Sequence, residues 1–525
     1  MQYDTFVYEL RLMRRAVVVP LILLVCSGLC ALAQTTAGGG TPGARATPLP
    51  MSAETGQSGA VTTQQTPVAG SGPATINSSI QVGGNFSGSV PGKDIPSGPV
   101  TLTLADAVKL GLTANLGPIT ADNASRASRA ERIQALSSLL PNISANASET
   151  VSQVSLAAFG FQFNVPASLG FSIPSVVGPF SYSSLQASLS QSVFDATARR
   201  NWRATQETEK ASQLNAKDAR ELVVLAVGGS YLQVVATAAR VDSQRAQVAN
   251  AEAINRQAEV RKEAGTNARI DVTRSAVELQ TEQQRLSSLE AELRKEKIAL
   301  ARLIGLPQDR ELTLNEPLSA KAANMPDANQ AIQLAWQHRS DLKALEASVK
   351  AAEIAVSAAR AEHLPSAYIN GNYGVIGPNP STTHGVFTAT GTVNVPIWQG
   401  GRVKGDILQA AATLDQRRAE LANERGKVEQ DVRTALIEME AAQGQVHLAE
   451  SSRDLANETL AQARDRFGAG VATTLEVVQA QQQVASADSD SISSLFSYQL
   501  AKLALARAMG EAEETLTNKQ SEGQK

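Results

Sequence analysis

Cysteine, histidine and aromatic side chains are scarce in this chain: its 525 residues hold two cysteines, four histidines and 4% aromatics. Both cysteines, Cys26 and Cys30, sit in one N-terminal apolar segment. A chain trimmed behind that segment carries no thiol, disulfide or cysteine-ligated metal. The histidines, His338, His363, His384 and His447, show no metal-ligand spacing. No glycine-rich phosphate loop follows a strand, and no serine or cysteine nucleophile motif occurs. We therefore expect no cofactor, no metal and no enzyme. The formal charge is −3, and no basic cluster is interleaved with aromatics, so nucleic acid is not an expected partner.

The longest apolar run covers residues 16–29, too short for a stable membrane anchor. Arg14 and Arg15 precede it and Ala31-Leu-Ala33 follows, the pattern of a secretory signal peptide over residues 1–33, with Met13 a second candidate start. Val25 and Leu29 precede the two cysteines where lipoprotein processing prefers a small residue, so a non-lipidated export product is expected. Residues 34–99 are rich in Gly, Pro, Ser and Thr and poor in large apolar residues. That composition predicts a disordered linker. Its last part, from Ser79 to Pro91, is expected to dock as extended chain.

What the chain does have is a duplication. Arg261-Lys-Glu-Ala-Gly265 is echoed by Arg466-Phe-Gly-Ala-Gly470, and Ala299-Leu-Ala-Arg302 by Ala504-Leu-Ala-Arg507, both pairs 205 residues apart. The glycines stand between helical segments, where a reversal of direction favours positive φ. A helical hairpin of any coiled-coil protein accounts for one such glycine; the constant offset requires a repeat.

The spacing predicts repeat 1 over residues 100–307 and repeat 2 over residues 327–510, joined by a connector at 308–326 and followed by a flexible tail at 511–525. Each opens with a helix, capped by Thr103 with Asp106 in the first and begun at Asp327 in the second, and stopped by Pro141 or Pro365. These prolines lie 224 residues apart, so repeat 1 carries about twenty extra residues after its proline.

Strand hairpins are expected next, at 142–194 and 366–397. In the first, Leu185, Ala187 and Leu189 alternate with Ser184, Gln186, Ser188 and Ser190. In the second, Thr388, Thr390, Thr392 and Asn394 form a polar face. Such alternation over about ten residues suits a transmembrane β-strand with lipid on one side and water on the other. An ordinary surface hairpin gives the same pattern. The first hairpin's loop, residues 157–179, is the longer and is expected to face outside the cell.

Two long proline-free helices follow, each about 65 residues or about 100 Å. In the second, Leu414, Leu421, Val428, Ala435, Ala442, Ala449, Ala456 and Ala463 make a heptad seam whose small residues permit close approach. Gly228-Gly229 is a candidate bend in the first. Beyond the tips at 264–268 and 467–472 come shorter helices, the first with Val272, Leu279, Leu286, Leu293 and Leu300 in heptad register.

This duplicated order resembles the TolC-type outer-membrane efflux family over about residues 102–510. The likeness is carried by Leu102-Thr-Leu-Ala-Asp-Ala-Val108, Asn329-Gln-Ala-Ile332, Val395-Pro-Ile-Trp-Gln-Gly-Gly-Arg402, Arg466-Phe-Gly-Ala-Gly470 and Leu475-Glu-Val-Val-Gln-Ala480. It implies a mainly α fold with a small β part: coiled-coil hairpins forming an α-barrel, and four strands per chain in a trimeric 12-stranded transmembrane β-barrel. Geometry favours three copies independently, because four strands cannot close a barrel and eight leave an interior filled by side chains.

The resemblance also implies an outer-membrane exit duct of a tripartite efflux or type I secretion system, with its helices in the periplasm. Its partners would be outer-membrane lipid, a periplasmic adaptor and an inner-membrane transporter. Arg261, Gly265, Arg466, Phe467 and Gly470 become adaptor-facing tip residues, and Asp271 with Glu476 a candidate acidic ring at the entrance. Gln479 and Ala472 stand where the best-known members carry a second acid and an arginine, which weakens a double ring. The plainer reading of both acids is a solvated carboxylate favoured by a helix N-terminus. The rival for the whole chain is a periplasmic adaptor or structural coiled-coil protein.

Overall fold

The structure, a computed structural model, describes residues 60–67, 76–91, 98, 100–160, 174–265, 268–315, 325–469 and 471–515. The signal segment at 1–33, most of the first hairpin loop and Gly470 lie outside them. Helix dominates, with a minor strand part, and the elements fall into two compact units.

One unit comprises Leu136–Arg199 and Ala358–Gly405. It is a four-stranded antiparallel sheet of β4 (Asn142–Ser155), β5 (Val176–Phe194), β7 (Ser366–Gly377) and β8 (His384–Asn394), in that order. The side-chain period of two carries most of the apolar residues in the lower half of the register to one face, while Tyr368, Ile376 and Val386 fall on the other. Ile143, Leu189, Gly371 and Ala389 lie abreast, as do Ala145, Ala187, Tyr373 and Phe387. Ile143, Tyr373 and Phe387 are 73–80% exposed, too apolar a face to leave against water.

Where β5 passes into the next helix, Asp195 accepts the Ala198 amide at 2.8 Å, an N-cap contact, and the Tyr368 hydroxyl at 2.6 Å. Where β8 ends, Gly400 and Gly401 take φ of +59° and +85°, a turn that side chains would strain. Arg402 then pairs with the buried Glu362 at 2.6 Å.

The other unit comprises Thr47–Ala135, Arg200–Ser357 and Asp406–Lys525. Its short parallel pair is β3 (Val100–Leu102) with β6 (Leu312–Leu314). The long helices are α3 (Ala196–Glu263) and α7 (Arg402–Gly468), of 68 and 67 residues, and the outgoing ones are α4 (Arg269–Ile304) and α8 (Thr474–Met509). The apolar middle of α3, with Val223, Val224, Val227 and Tyr231 all buried, forms the main core with Leu300, Ile304 and Leu503. The α7 seam is buried at Val428, Ala435, Ala442, Ala449 and Ala463.

Four expectations are corrected. The opening helices are each broken in two. Thr103 and Asp327 cap them as read, but α1 (Leu104–Ala114) yields to α2 (Leu116–Ser137) at Asn115, and α5 (Ala328–His338) yields to α6 (Ser340–Ala361) at Arg339. Second, the stretch at 34–99 is not structureless throughout. β1 (Val61–Pro67) pairs with β2 (Ile76–Val82), and Val61 enters the main core; Phe86 joins it, with Ile80 and Val82 against it, within the part from Ser79 to Pro91 expected to dock. Burial of a few large apolar side chains offsets the ordering cost that the average composition implies.

Third, Gly228-Gly229 lies inside the continuous α3. A Cβ on Gly228 would come within 2.6 Å of Leu503, and one on Gly229 would collide with Ile80, so these glycines serve close packing rather than a bend. Fourth, the tail expected to be free from 511 is docked as far as 515. Ala512 is fully buried, and Glu221 accepts the amides of Ala512 and Glu513 at 2.9 and 3.3 Å while Arg220 pairs with Glu513. Burial pushes the Glu221 carboxyl up, against those hydrogen bonds and the charge of Arg507.

Candidate functional site: the helix tips and the polar sheet face

At the first tip the chain leaves α3 through Gly265, whose φ of +73° and amide bond to the Lys262 carbonyl at 3.0 Å end the helix. At the second, α7 closes with the Val471 amide on the Arg466 carbonyl at 3.0 Å. A small core of Leu460, Ala463, Phe467, Val477, Ala480 and Val484 packs under that turn, with Ile254 of α3 against it. The two hairpins therefore share apolar contacts.

The tip arginines occupy matching repeat positions and take different partners. Arg261 places its guanidinium 4.2 Å from the centre of the Phe467 ring and its Nη2 donates to the Phe467 carbonyl at 3.4 Å. Such a cation–π contact joins tip 1 to tip 2 within one chain. Arg466 instead crosses its own turn to Glu476 at 2.9 Å. Repeat 1 has Lys262 where repeat 2 has Phe467, so Arg466 meets no equivalent ring. The residues of this tie were legible as tip residues; their mutual contact was not, although the Lys-for-Phe difference was the available signal.

The two acids follow the same asymmetry. Asp271, at the start of α4, is 4.0 Å from Arg274, while Glu476 is held by Arg466. Each carboxylate thus has a cation close by, which reduces the field that a ring of such acids would project. Neighbouring Ser275 is buried and donates to Asn255 at 2.9 Å, fixing α4 against α3.

The sheet offers a second candidate surface, on the face opposite Ile143 and Phe387. There Ser190 donates to Asn370 at 2.9 Å and the Ser148 and Ser184 hydroxyls meet at 3.0 Å. Asn146, Gln186, Ser188, Asn372, Thr388 and Thr390 continue it by register. Hydroxyls and amides both donate and accept, which suits a wall in contact with water. Among the described residues no cluster of three or more His, Cys, Asp or Glu could hold a metal ion.

The family described as outer membrane efflux protein matches residues 120–306 and 331–511. The chain belongs to this family. It is an outer-membrane protein whose helical part lies in the periplasm, and the rival assignment to a periplasmic adaptor or structural coiled coil falls with that membership.

Among curated relatives, the pyoverdine export outer membrane protein OpmQ of Pseudomonas aeruginosa is 22% identical over 311 residues, 59% of this chain and 65% of that protein. The toluene efflux pump outer membrane protein TtgF of Pseudomonas putida is 26% identical over 333 residues, 60% of this chain and 65% of that protein. These matches span just under two thirds of the relatives' length. Among solved structures, the outer membrane protein VceC of Vibrio cholerae aligns with a TM-score of 0.66 at 18% identity, covering 78% of this chain and 96% of that one. The CmeC outer membrane channel of Campylobacter jejuni aligns at 0.65 and 17%, covering 83% and 95%. The fold of this efflux-family chain is thus the one seen in solved outer-membrane channels.

Proposed function

We propose that the chain is the outer-membrane exit duct of a tripartite efflux or type I secretion system. Three copies contribute four strands each to a twelve-stranded barrel, and their helical hairpins form the periplasmic tunnel. The observation that carries this reading is the sheet itself. It has one mainly apolar and one mainly polar face, and its edge strands β4 and β8 are each paired on one side only, with β5 and β7, among the described residues. A single four-stranded sheet cannot close, and open edges do not persist in hydrocarbon. Pairing β4 of one copy with β8 of the next removes both edges and turns the Ser/Thr/Asn face toward a lumen.

At the tips, Arg261, Gly265, Arg466, Phe467 and Gly470 form the end that meets a periplasmic adaptor, which is coupled to an inner-membrane transporter. Asp271 and Glu476 stand at the entrance. Relatives named for pyoverdine export and toluene efflux support efflux over protein secretion. The first test is fractionation. The chain should sediment with outer membranes and run unheated as an oligomer of three that collapses to one copy on boiling. A monomer recovered from the soluble periplasmic fraction would refute the duct.

A further inference from the structure

The strand registers arrange the polar face in rows that cross all four strands. One row is Asn142, Ser190, Asn370 and Thr390; the next is Ser144, Ser188, Asn372 and Thr388. The third passes through Asn146 and Gln186 to Gly374 and Val386. No Asp, Glu, Lys or Arg stands in any of them.

The chain as a whole is 18% charged. Strands of 14, 19, 12 and 11 residues nevertheless contain one acid, Glu149, and no lysine or arginine. Glu149 shares the parity of Ile143, Ala145 and Ala147, and it accepts the hydroxyl of Ser183 on that apolar face. The only imidazole, His384, stands at the end of its strand, paired with Ile376. The polar rows are therefore depleted of fixed charge while remaining densely hydrogen-bonding.

Fixed charges in a narrow passage select solutes by sign, whereas hydroxyls and amides solvate either sign. We infer that the outer-membrane segment is a charge-blind exit, whose hydroxyl and amide rows pass uncharged, zwitterionic, cationic and anionic organic molecules on equal terms. Any ion preference of the duct then arises in its helical part. This inference rests on the exit-duct reading, and the experiment separates the two.

Asn372→Cys and Asn146→Cys are made in the full chain with Cys26→Ser and Cys30→Ser, so that each carries one thiol, and assembled in planar bilayers. A cationic and an anionic methanethiosulfonate of similar size are then added at about pH 8, above the ordinary range of imidazole titration. Because the label is attached after assembly, folding is not at risk from the charge. The two reagents should react in the same rate ratio as with a free thiol, within about twofold, and shift the cation-to-anion permeability ratio in opposite directions. A rate ratio displaced about tenfold or more from that of the free thiol would reveal a local field and overturn the inference while leaving the duct intact. Labelling that left conductance untouched at both positions would show that this face does not line the path, and would overturn the duct reading with it.

Discussion

At Asn115 the first repeat breaks its opening helix around a neutral amide; at Arg339 the second breaks its own around a guanidinium. The two residues are 224 positions apart, the offset that also separates Pro141 from Pro365. Asn115 is fully buried. Its Nδ2 donates to the carbonyls of Phe86 and Leu303 at 2.8 and 3.3 Å, and its Oδ1 accepts the Gly117 amide at 2.8 Å. Arg339 is 4% exposed and pairs with Asp341 and with Asp431 at 2.8 Å, with Glu424 at 3.7 Å. Arg507 joins this group through Asp218 and, at 3.9 Å, Asp341.

Both breaks lie against the glycine that ends the outgoing helix of the same repeat. Gly305 has φ of +77° and Gly510 +78°. A Cβ at Gly305 would strike Ala114 and come within 2.9 Å of the Val90 carbonyl, and one at Gly510 would come within 2.9 Å of the Arg339 amide. Duplication has thus kept the backbone requirement and let the polar partner diverge. The amide solution is insensitive to pH and cheap to bury; the guanidinium solution depends on its carboxylates.

Arg339→Ala should sharpen that contrast most. It removes the main counter-charge of Asp341, which keeps Arg507 at 3.9 Å, and a partner of Asp431 and of Glu424, an expected loss of about 3–5 kcal/mol. Asn115→Ala leaves two carbonyls and an amide unsatisfied, about 1–3 kcal/mol. Denaturant unfolding of the purified protein would report both, and equal losses would erase the distinction.

Next in size come Gly305→Ala and Gly510→Ala. Each places a side chain at positive φ against a neighbouring break, so each should cost about 2 kcal/mol, and the two costs should match. Thermal unfolding that separated them widely would mean that the shared backbone geometry is not what duplication preserved.

Acid should act on one break only. Burial pushes the Asp341 carboxyl up, but the hydrogen bond and charge of Arg339, with the charge of Arg507, bring it down to about 2. A carboxyl lower in the folded than in the unfolded state contributes stability above its unfolded value near 3.8 and loses it as pH falls through about 2. Hydrogen exchange, corrected for intrinsic rates, should show the His338–Leu342 segment loosening between those limits while the Ala114–Gly117 segment holds. Parallel loosening would contradict the assignment.

The sequence disclosed much of this architecture because duplication and period are local signals. Thr103 and Asp327 were readable as caps, Ser184 to Ser190 and Thr388 to Asn394 as one strand face, and Gly265 as a reversal. The break at Asn115 also had a local mark, Gly117-Pro118, since proline belongs in a helix's first turn and not its middle. The break at Arg339 had none, because its carboxylates Asp431 and Glu424 come from a helix about ninety residues on. For the same reason Arg261 could be placed at a tip, but its stacking on Phe467, from the other hairpin, could not be read. Tertiary partners of a charged side chain have no period.

The most direct measurement of the central claim is single-channel recording of the purified full chain in planar bilayers. A duct whose entrance lies at the tips should give stable conductance with cation preference, and Asp271→Ala with Glu476→Ala should reduce that preference while trimer yield stays nearly unchanged, because partly exposed acids contribute under about 1 kcal/mol to stability. Absence of conductance from well-assembled trimers would contradict the duct itself, and unchanged selectivity in the double variant would remove Asp271 and Glu476 from its entrance.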